Sequence, residues 1–304
     1  MNKIFRCAIL LLLFVCFPGA SLRAQEIPAD YQDVLHYLGR SGDFKSGVLK
    51  AGIPRNDLHV KIAGRDTPTP FGFGGWIGLT KSADGMEVLM GDLVLTQDEV
   101  NPVLSALLDH GIEASALHNH FFWDEPRIFY LHVHAHGKAM DLARNLKPAL
   151  DLIGQAPSTP LAPSANLAPV PPPSVDAAAL SKLIGYPCET FGGVQKFTVG
   201  RDDLHVTEMG AVISARMGLN SWAAFAGSDG DAQIAGDIAM RESEVIPVLK
   251  ALRAHNLNIV AIHHHMLNTQ PAVIFLHYWG RGPAAQLAQG FRAALDQLGK
   301  SPAP

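Results

Sequence analysis

The stretch ALHNHFFWDEPRIFYLHVHAHG, residues 116–137, places His118, His120, His132, His134 and His136 in one short, otherwise apolar segment. Imidazole titrates near neutral pH, carries protons and ligates divalent transition metals, so this density points to metal, acid–base or pH-responsive chemistry. Spacing narrows the choice. Side chains two apart on a strand share a face, so His118 and His120 point together, as do His132, His134 and His136. If 112–122 and 127–135 form a hairpin turning near Glu125, His118 stands opposite His132, with Cβ atoms roughly 4.5–5.5 Å apart. A two-residue slip of register keeps that facing and changes only the partner. His118, His120 and His132 then converge on one point.

The second half of the chain repeats this trio as His263, His265 and His277, while His134 becomes Trp279, His136 becomes Arg281 and Asn119 becomes His264. Retention of the trio alone separates candidate ligands from bystanders, and His134, His136 and His264 read as extra and exposed. Three neutral imidazoles with an open fourth position make a first shell for a divalent transition metal, one per domain. Zinc is the default expectation, with copper or iron compatible with the same ligands. His59 and His205, each in a DLHV segment, are candidates for a fourth ligand or for a supporting hydrogen bond. Asp57 and Asp203 would orient an imidazole or end a turn. Asp92 and Asp237, each after a glycine, fit a turn or bulge equally well, although MEVLMGDLVL around Asp92 reads as a strand, and Trp76 and Trp222 read as core. Beside the first trio, Asp124 and Glu125 offer a carboxylate, with Glu125 the candidate general base on metal-bound water. The second copy has Thr269 and Gln270 there, so catalysis of that kind would be confined to the first domain. A hydrogen-bonded histidine network and a pH-sensitive surface are the competing readings, whereas His36, His110 and His255 read as structural. Neither a nucleophile elbow, a phosphate loop, an H-E-x-x-H motif nor a dinucleotide fingerprint occurs, and the lone Cys188 is not read as a nucleophile.

The elements that must hold these residues can be read twice. GVLKAGIPRNDLHV at 47–60 answers to GVQKFTVGRDDLHV at 193–206, and EVNPVLSALLDHG at 99–111 to EVIPVLKALRAHN at 244–256. Trp76 aligns with Trp222, and Gly91-Asp92 with Gly236-Asp237. A period this long means a duplicated domain rather than a short-repeat solenoid. Apolar spacing predicts a helix over 97–110 with Val100, Val103, Leu104, Leu107 and Leu108 inward, capped by Thr96 and Glu99. Arg241 stands where Thr96 does, so the cap is not expected in the second copy. Pro102 and Pro247 predict a helix start or bend close by. Further helices are expected at 138–153 and 284–298, with β-prone runs before and between the helices, and Pro126 and Pro271 shaping the hairpin loops. The fold class is therefore α+β: two homologous domains, each a mostly antiparallel sheet with two helices packed on it.

Lys3 and Arg6 precede an apolar run, Cys7 to Phe17, followed by small residues to Ala24, the order of a secretory signal peptide too short to span a bilayer. The expected organisation is a signal peptide over 1–24, a first repeat domain over 25–155, a Pro/Ala-rich linker over 156–174 and a second repeat domain over 175–304. Val15 before Cys16 argues against a lipoprotein anchor, so a soluble periplasmic or secreted protein is expected. Losing 1–24 would remove three cations and no acid from a chain whose formal charge is −4. That excess of acid excludes nucleic acid as a partner class. Only Cys188 would remain, leaving no internal disulfide, and no later segment is apolar enough to cross a membrane.

The DLHV segment, the Gly-Asp pair, the EV-x-PVL helix and the H-x-H hairpin ending in FYLH or FLH resemble the LppY/LpqO family, bacterial exported proteins and lipoproteins built on a DUF1259-type domain of unknown function. The resemblance spans roughly 40–154 and 185–299. It implies export and two domains and assigns no reaction. The residues support an exported metal-binding protein engaged in metal handling or sensing. The alternatives are a metal-dependent hydrolase or oxygen-chemistry enzyme working in the first domain, and a non-metal ligand-binding or interaction module.

Overall fold

The computed structural model describes residues 26–155, 175–267 and 269–300. The signal-peptide and linker segments lie outside the described residues. In the first repeat, α1 (Ala29–Leu38) precedes strands β1 (Gly42–Lys45), β2 (Val48–Pro54), β3 (Val60–Ile62), β4 (Arg65–Thr67), β5 (Gly74–Lys81) and β6 (Glu87–Thr96). Helix α2 (Gln97–Asp109), strands β7 (Glu113–His118), β8 (Asp124–Glu125) and β9 (Ile128–Gly137), and helix α3 (Ala139–Leu150) complete it. The second repeat opens with α4 (Ala177–Ile184), β10 (Cys188–Phe191), β11 (Val194–Gly200), β12 (Thr207–Glu208), β13 (Ala211–Val212), β14 (Asn220–Ser228) and β15 (Asp231–Met240). It closes with α5 (Glu242–Ala254), β16 (Asn258–His264), β17 (Ile274–Gly282) and α6 (Ala284–Leu295). Each repeat is an antiparallel six-stranded sheet, in order β1-β2-β5-β6-β9-β7 and β10-β11-β14-β15-β17-β16. Among the described residues three α-helices accompany each sheet, not the expected two. The extra ones, α1 and α4, lie ahead of the region in which the repeats align by motif.

Alternation along the strands gives each sheet two buried faces. One face packs on its own helices: Leu49, Ile77, Leu89, Leu131 and Val133 pack with Val34, Val103, Leu107, Leu142 and Leu146, and Phe197, Ile234 and Leu276 with Val248, Leu287 and Phe291. The other face meets the opposite sheet. Val48, Val88 and Met90 pack against Ile213, Met217, Ala239 and Phe275. Val94, Tyr130 and Phe121 pack with Ala224, Ala235 and Trp279. The molecule is thus four layers, helices–sheet–sheet–helices, with the repeats back to back. Arg65 reaches Asp231 at 2.7 Å and Arg216 reaches Asp43 at 2.5 Å across the junction.

Several local expectations change. Pro102 and Pro247 are each the sixth residue of their helices, within the first two turns, so neither marks the helix start. Leu108 is exposed, so the inward face of α2 is narrower than the spacing suggested. Glu99 accepts from the Thr96 amide at 2.7 Å, and Glu244 accepts from the Arg241 amide at 2.8 Å. The carboxylate half of the cap is therefore shared by both repeats even though Arg241 has no acceptor to give.

The same glutamates explain the repeated DLHV region. Arg55 donates to Glu99 at 2.6 and 3.0 Å and to Asp57 at 2.7 Å, and Glu99 also accepts from the Gly154 amide at 2.6 Å. Arg201, Glu244, Asp203 and Gly299 repeat the arrangement. Asp57 and Asp203 thus hold a buried arginine and orient no imidazole. A guanidinium with both carboxylates satisfied ties the strand end, the start of one helix and the end of another into one node.

Candidate metal centre

β6 and β9 pair so that Trp76, Asp92, His132 and Ala116 form one row across the first sheet. Trp222, Asp237, His277 and Ala261 form the matching row across the second. Both rows lie on the face turned to the other sheet. Asp92 and Asp237 are therefore mid-strand residues, and the turn-or-bulge alternative falls away. The glycine before each serves close strand approach: a Cβ at Gly91 would stand 2.9 Å from the Trp76 carbonyl oxygen, and at Gly236 it would overlap that of Trp222.

The hairpin exists in both repeats with the register slipped. His118 pairs with Tyr130 and His263 with Phe275, after a bulge at Ala114/Ala116 and at Ile259/Ala261. The facing survives, as a two-residue slip requires. His118 Nε2 lies 2.8 Å from His132 Nε2, and His263 Nε2 lies 2.6 Å from His277 Nε2. His120 and His265 follow the strand ends, so strand alternation does not govern their direction.

Because the sheets are back to back, the two trios meet. The His118 ring centroid is 3.9 Å from that of His263 and 4.5 Å from that of His277. One ligand atom from each of His118, His132, His263 and His277 falls within 4.8 Å of all the others. Around this core the trios interlock: His120 stacks on His277 at 3.7 Å, and His265 lies tilted against His132 at 3.8 Å. The expectation of one three-histidine site per domain thus gives way to one six-histidine cluster shared by both. Loop and strand directions in a single repeat carry no information about the other repeat, so the sequence could not show this.

The outward nitrogens of three of the four core rings have acceptors, and that of His132 faces a carboxylate beyond hydrogen-bond reach. His118 Nδ1 faces the Asn119 carbonyl at 3.4 Å and His263 Nδ1 the His264 carbonyl at 3.0 Å. His277 Nδ1 lies 2.5 Å from Asp237 Oδ1, and His132 Nδ1 lies 3.9 Å from Asp92 Oδ1. Burial, reinforced by neighbouring imidazoles, drives His118, His120, His132 and His265 well below the usual histidine range and His263 down to about 3. Burial, with Asp237 adding to it, pushes the Asp92 carboxyl well up. Both ring nitrogens of His120, His265 Nε2 and Asp92 Oδ1 are buried without a hydrogen-bond partner. His263 alone of the six is more than slightly exposed, so the cluster approaches solvent on its side.

The remaining sequence candidates lie elsewhere. His59 and His205 are exposed and belong to neither group of potential ligands among the described residues. Glu125 is exposed on β8, paired with Lys61 of β3. Asp124 is buried but accepts from the Ile128 amide at 2.7 Å, closing its own loop. His134, read from sequence as exposed, is 2% exposed and pairs with Glu208 of the other repeat at 3.1 Å. Trp76 and Trp222 carry Lys50 and Lys196 over their rings at 3.9 and 4.4 Å. The residues that sequence reading passed over are Asp92 and Asp237; their repetition beside strand-forming residues was the available signal.

No curated protein sequence matches the chain. Two solved structures align over most of it: EtuB from Clostridium kluyveri, 9% identical over 84% of this chain and 88% of that one, TM-score 0.20, and the trimeric bacterial microcompartment shell protein PduB, 12% identical over 87% and 96%, TM-score 0.21. The backbones superpose poorly, so this likeness carries nothing about fold or assembly. The profile of one family matches twice, over residues 32–152 and 178–297, spanning both sheets and both histidine hairpins. The chain therefore belongs to the family described as Domain of Unknown Function (DUF1259), with two copies of that domain.

Proposed function

We propose that this is an exported metal-binding protein whose two domains share one divalent transition-metal centre, ligated by His118, His132, His263 and His277. One observation carries the reading. Nε2 atoms face each other in pairs at 2.8 and 2.6 Å, while Nδ1 of the same rings is turned toward carbonyl or carboxylate oxygen. In the second repeat, acceptors at 3.0 and 2.5 Å hold the protons of His263 and His277 on Nδ1, so the two Nε2 lone pairs face one another and a cation between them relieves the repulsion. This is the arrangement in which metal-ligating histidines are oriented and made more basic. Zinc is bound by imidazole at about 2.0–2.1 Å, which sets the corners of a tetrahedron roughly 3.4 Å apart. Opening each pair by less than about an ångström reaches that spacing. Zinc is the first choice, with copper or iron served by the same donors.

The position of Glu125 favours binding over hydrolysis, because an exposed carboxylate held in a separate small sheet does not face the histidines. Metal handling or sensing outside the cytoplasm fits a buried centre that approaches solvent on the His263 side. X-ray absorption on untagged protein loaded with one equivalent of zinc tests the reading. Four imidazole nitrogens at about 2.0 Å are expected, and His118→Ala and His263→Ala should each weaken that equivalent. A three-imidazole shell with each single variant retaining an equivalent at undiminished affinity would return the site to one per domain. Absence of binding would overturn metal binding altogether.

A further inference from the structure

Outside the four-histidine core, a second group of donors stands ready. His120, Asp237 and His277 each offer one ligand atom, all within 4.8 Å of one another, and all three residues are buried. His277 belongs to both groups: Nε2 faces His263, and Nδ1 faces Asp237 at 2.5 Å. His120 Nδ1 lies 3.7 Å from the same carboxylate oxygen, too far for a hydrogen bond, and neither of its ring nitrogens has any partner. A buried imidazole with two unsatisfied nitrogens is costly, and in native proteins such an orphan calls for an explanation.

We propose that His120, Asp237 and His277 hold a second divalent metal ion, bridged to the first through the His277 ring. The inference rests on the shared four-histidine centre. Coordination at Nδ1 replaces the proton that His277 shares with Asp237, and that proton leaves to solvent, as metal uptake at protonated ligands requires. The ring then carries one metal on each nitrogen. Two imidazoles and a carboxylate leave an open position on the second ion, and nitrogen–oxygen donors of this kind suit zinc or copper. Because His120 comes from the first repeat and Asp237 and His277 from the second, neither repeat could form this site alone. The mirror set is not equivalent: His132 Nδ1 and Asp92 are 3.9 Å apart, and His265, Asp92 and His132 do not gather within the same span. The duplication thus places the second ion on one side only.

Copper(II) titration of the full chain, followed by electron paramagnetic resonance, tests this. Two equivalents should bind, and at two equivalents the ring bridge should couple the spins, leaving clearly less signal than two isolated ions give. His120→Ala should take only the first equivalent and show one uncoupled copper spectrum, and His265→Ala should still take two. Asp237→Asn provides a second route to the same loss should His120→Ala fail to fold. The second ion is overturned if the wild-type protein stops at one equivalent, if two equivalents give two uncoupled spectra, or if the second is indifferent to both substitutions. In each case a retained four-imidazole first equivalent leaves the shared centre standing, whereas a protein that binds no copper or zinc removes both.

Discussion

A histidine is defined here by what its two nitrogens meet. His59 and His205 sit in a repeated motif yet remain in solvent, while His118, His132, His263 and His277 turn one nitrogen inward and give the other an oxygen acceptor or face a carboxylate. Removing an outer partner of a metal-ligating imidazole costs about 10–100-fold in affinity, so removing a ligand should cost more. His118→Ala is expected to weaken the first zinc equivalent by more than about 100-fold, measured by competition with a chromophoric chelator. His59→Ala should leave it unchanged. A comparable loss in both would mean the histidines act through general surface binding.

At the scale of elements, each repeat is pinned by one buried arginine. Arg55 and Glu99 are both almost fully buried, as are Arg201 and Glu244. Breaking a buried pair costs about 3–5 kcal/mol when the remaining charge is left alone; Asp57 still pairs with Arg55 at 2.7 Å, so the lower end of that range applies. Glu99→Ala should lower unfolding free energy by about that amount in a denaturant titration, without altering the zinc shell. The outer carboxylates add a pH dependence. Arg201 holds Asp203 below the ordinary carboxylate value, and Arg55 does so for Asp57 against an opposing effect of burial. A carboxyl depressed in the folded state contributes fully above its unfolded value and loses that contribution as pH falls through the lower folded value. Melting temperature should therefore fall with acidification below about pH 4, and the double variant Asp57→Asn, Asp203→Asn should show a shallower fall. An unchanged slope would assign acid sensitivity to other groups.

Taken whole, the molecule is two sheets closed on each other with the histidines at their junction. A ligand that binds only the folded form stabilises it by about 2.7 kcal/mol at a hundredfold excess over its dissociation constant. Zinc at that excess should raise the melting temperature of the full chain, chelation should reverse the shift, and His118→Ala and His263→Ala should each abolish most of it. A shift that survives either variant would mean that the junction histidines are not the binding groups. The apolar face of each sheet, including Met90 and Val94 in one and Ala224 and Phe275 in the other, is covered by the opposite repeat. Residues 25–155 made alone would expose theirs and are expected to self-associate, as light scattering would show, because large exposed apolar patches are interaction or aggregation sites.

The duplication, the antiparallel α+β character, the helices over 97–110 and 284–298 to within a few residues, and the shared facing of His118 with His132 were all legible in the chain. They follow from local periodicities of 3.6 and 2 and from comparing one repeat with the other. Which face of a strand is buried is also local, but what it is buried against is not. The meeting of six imidazoles, the burial of Asp92 and Asp237 beside them and the pairing of His134 with Glu208 depend on how two sheets stack, and the removal of Glu125 to a separate sheet depends on its pairing with distant Lys61. That stacking is fixed by apolar contacts between residues more than a hundred positions apart, and periodicity within a segment does not encode such contacts.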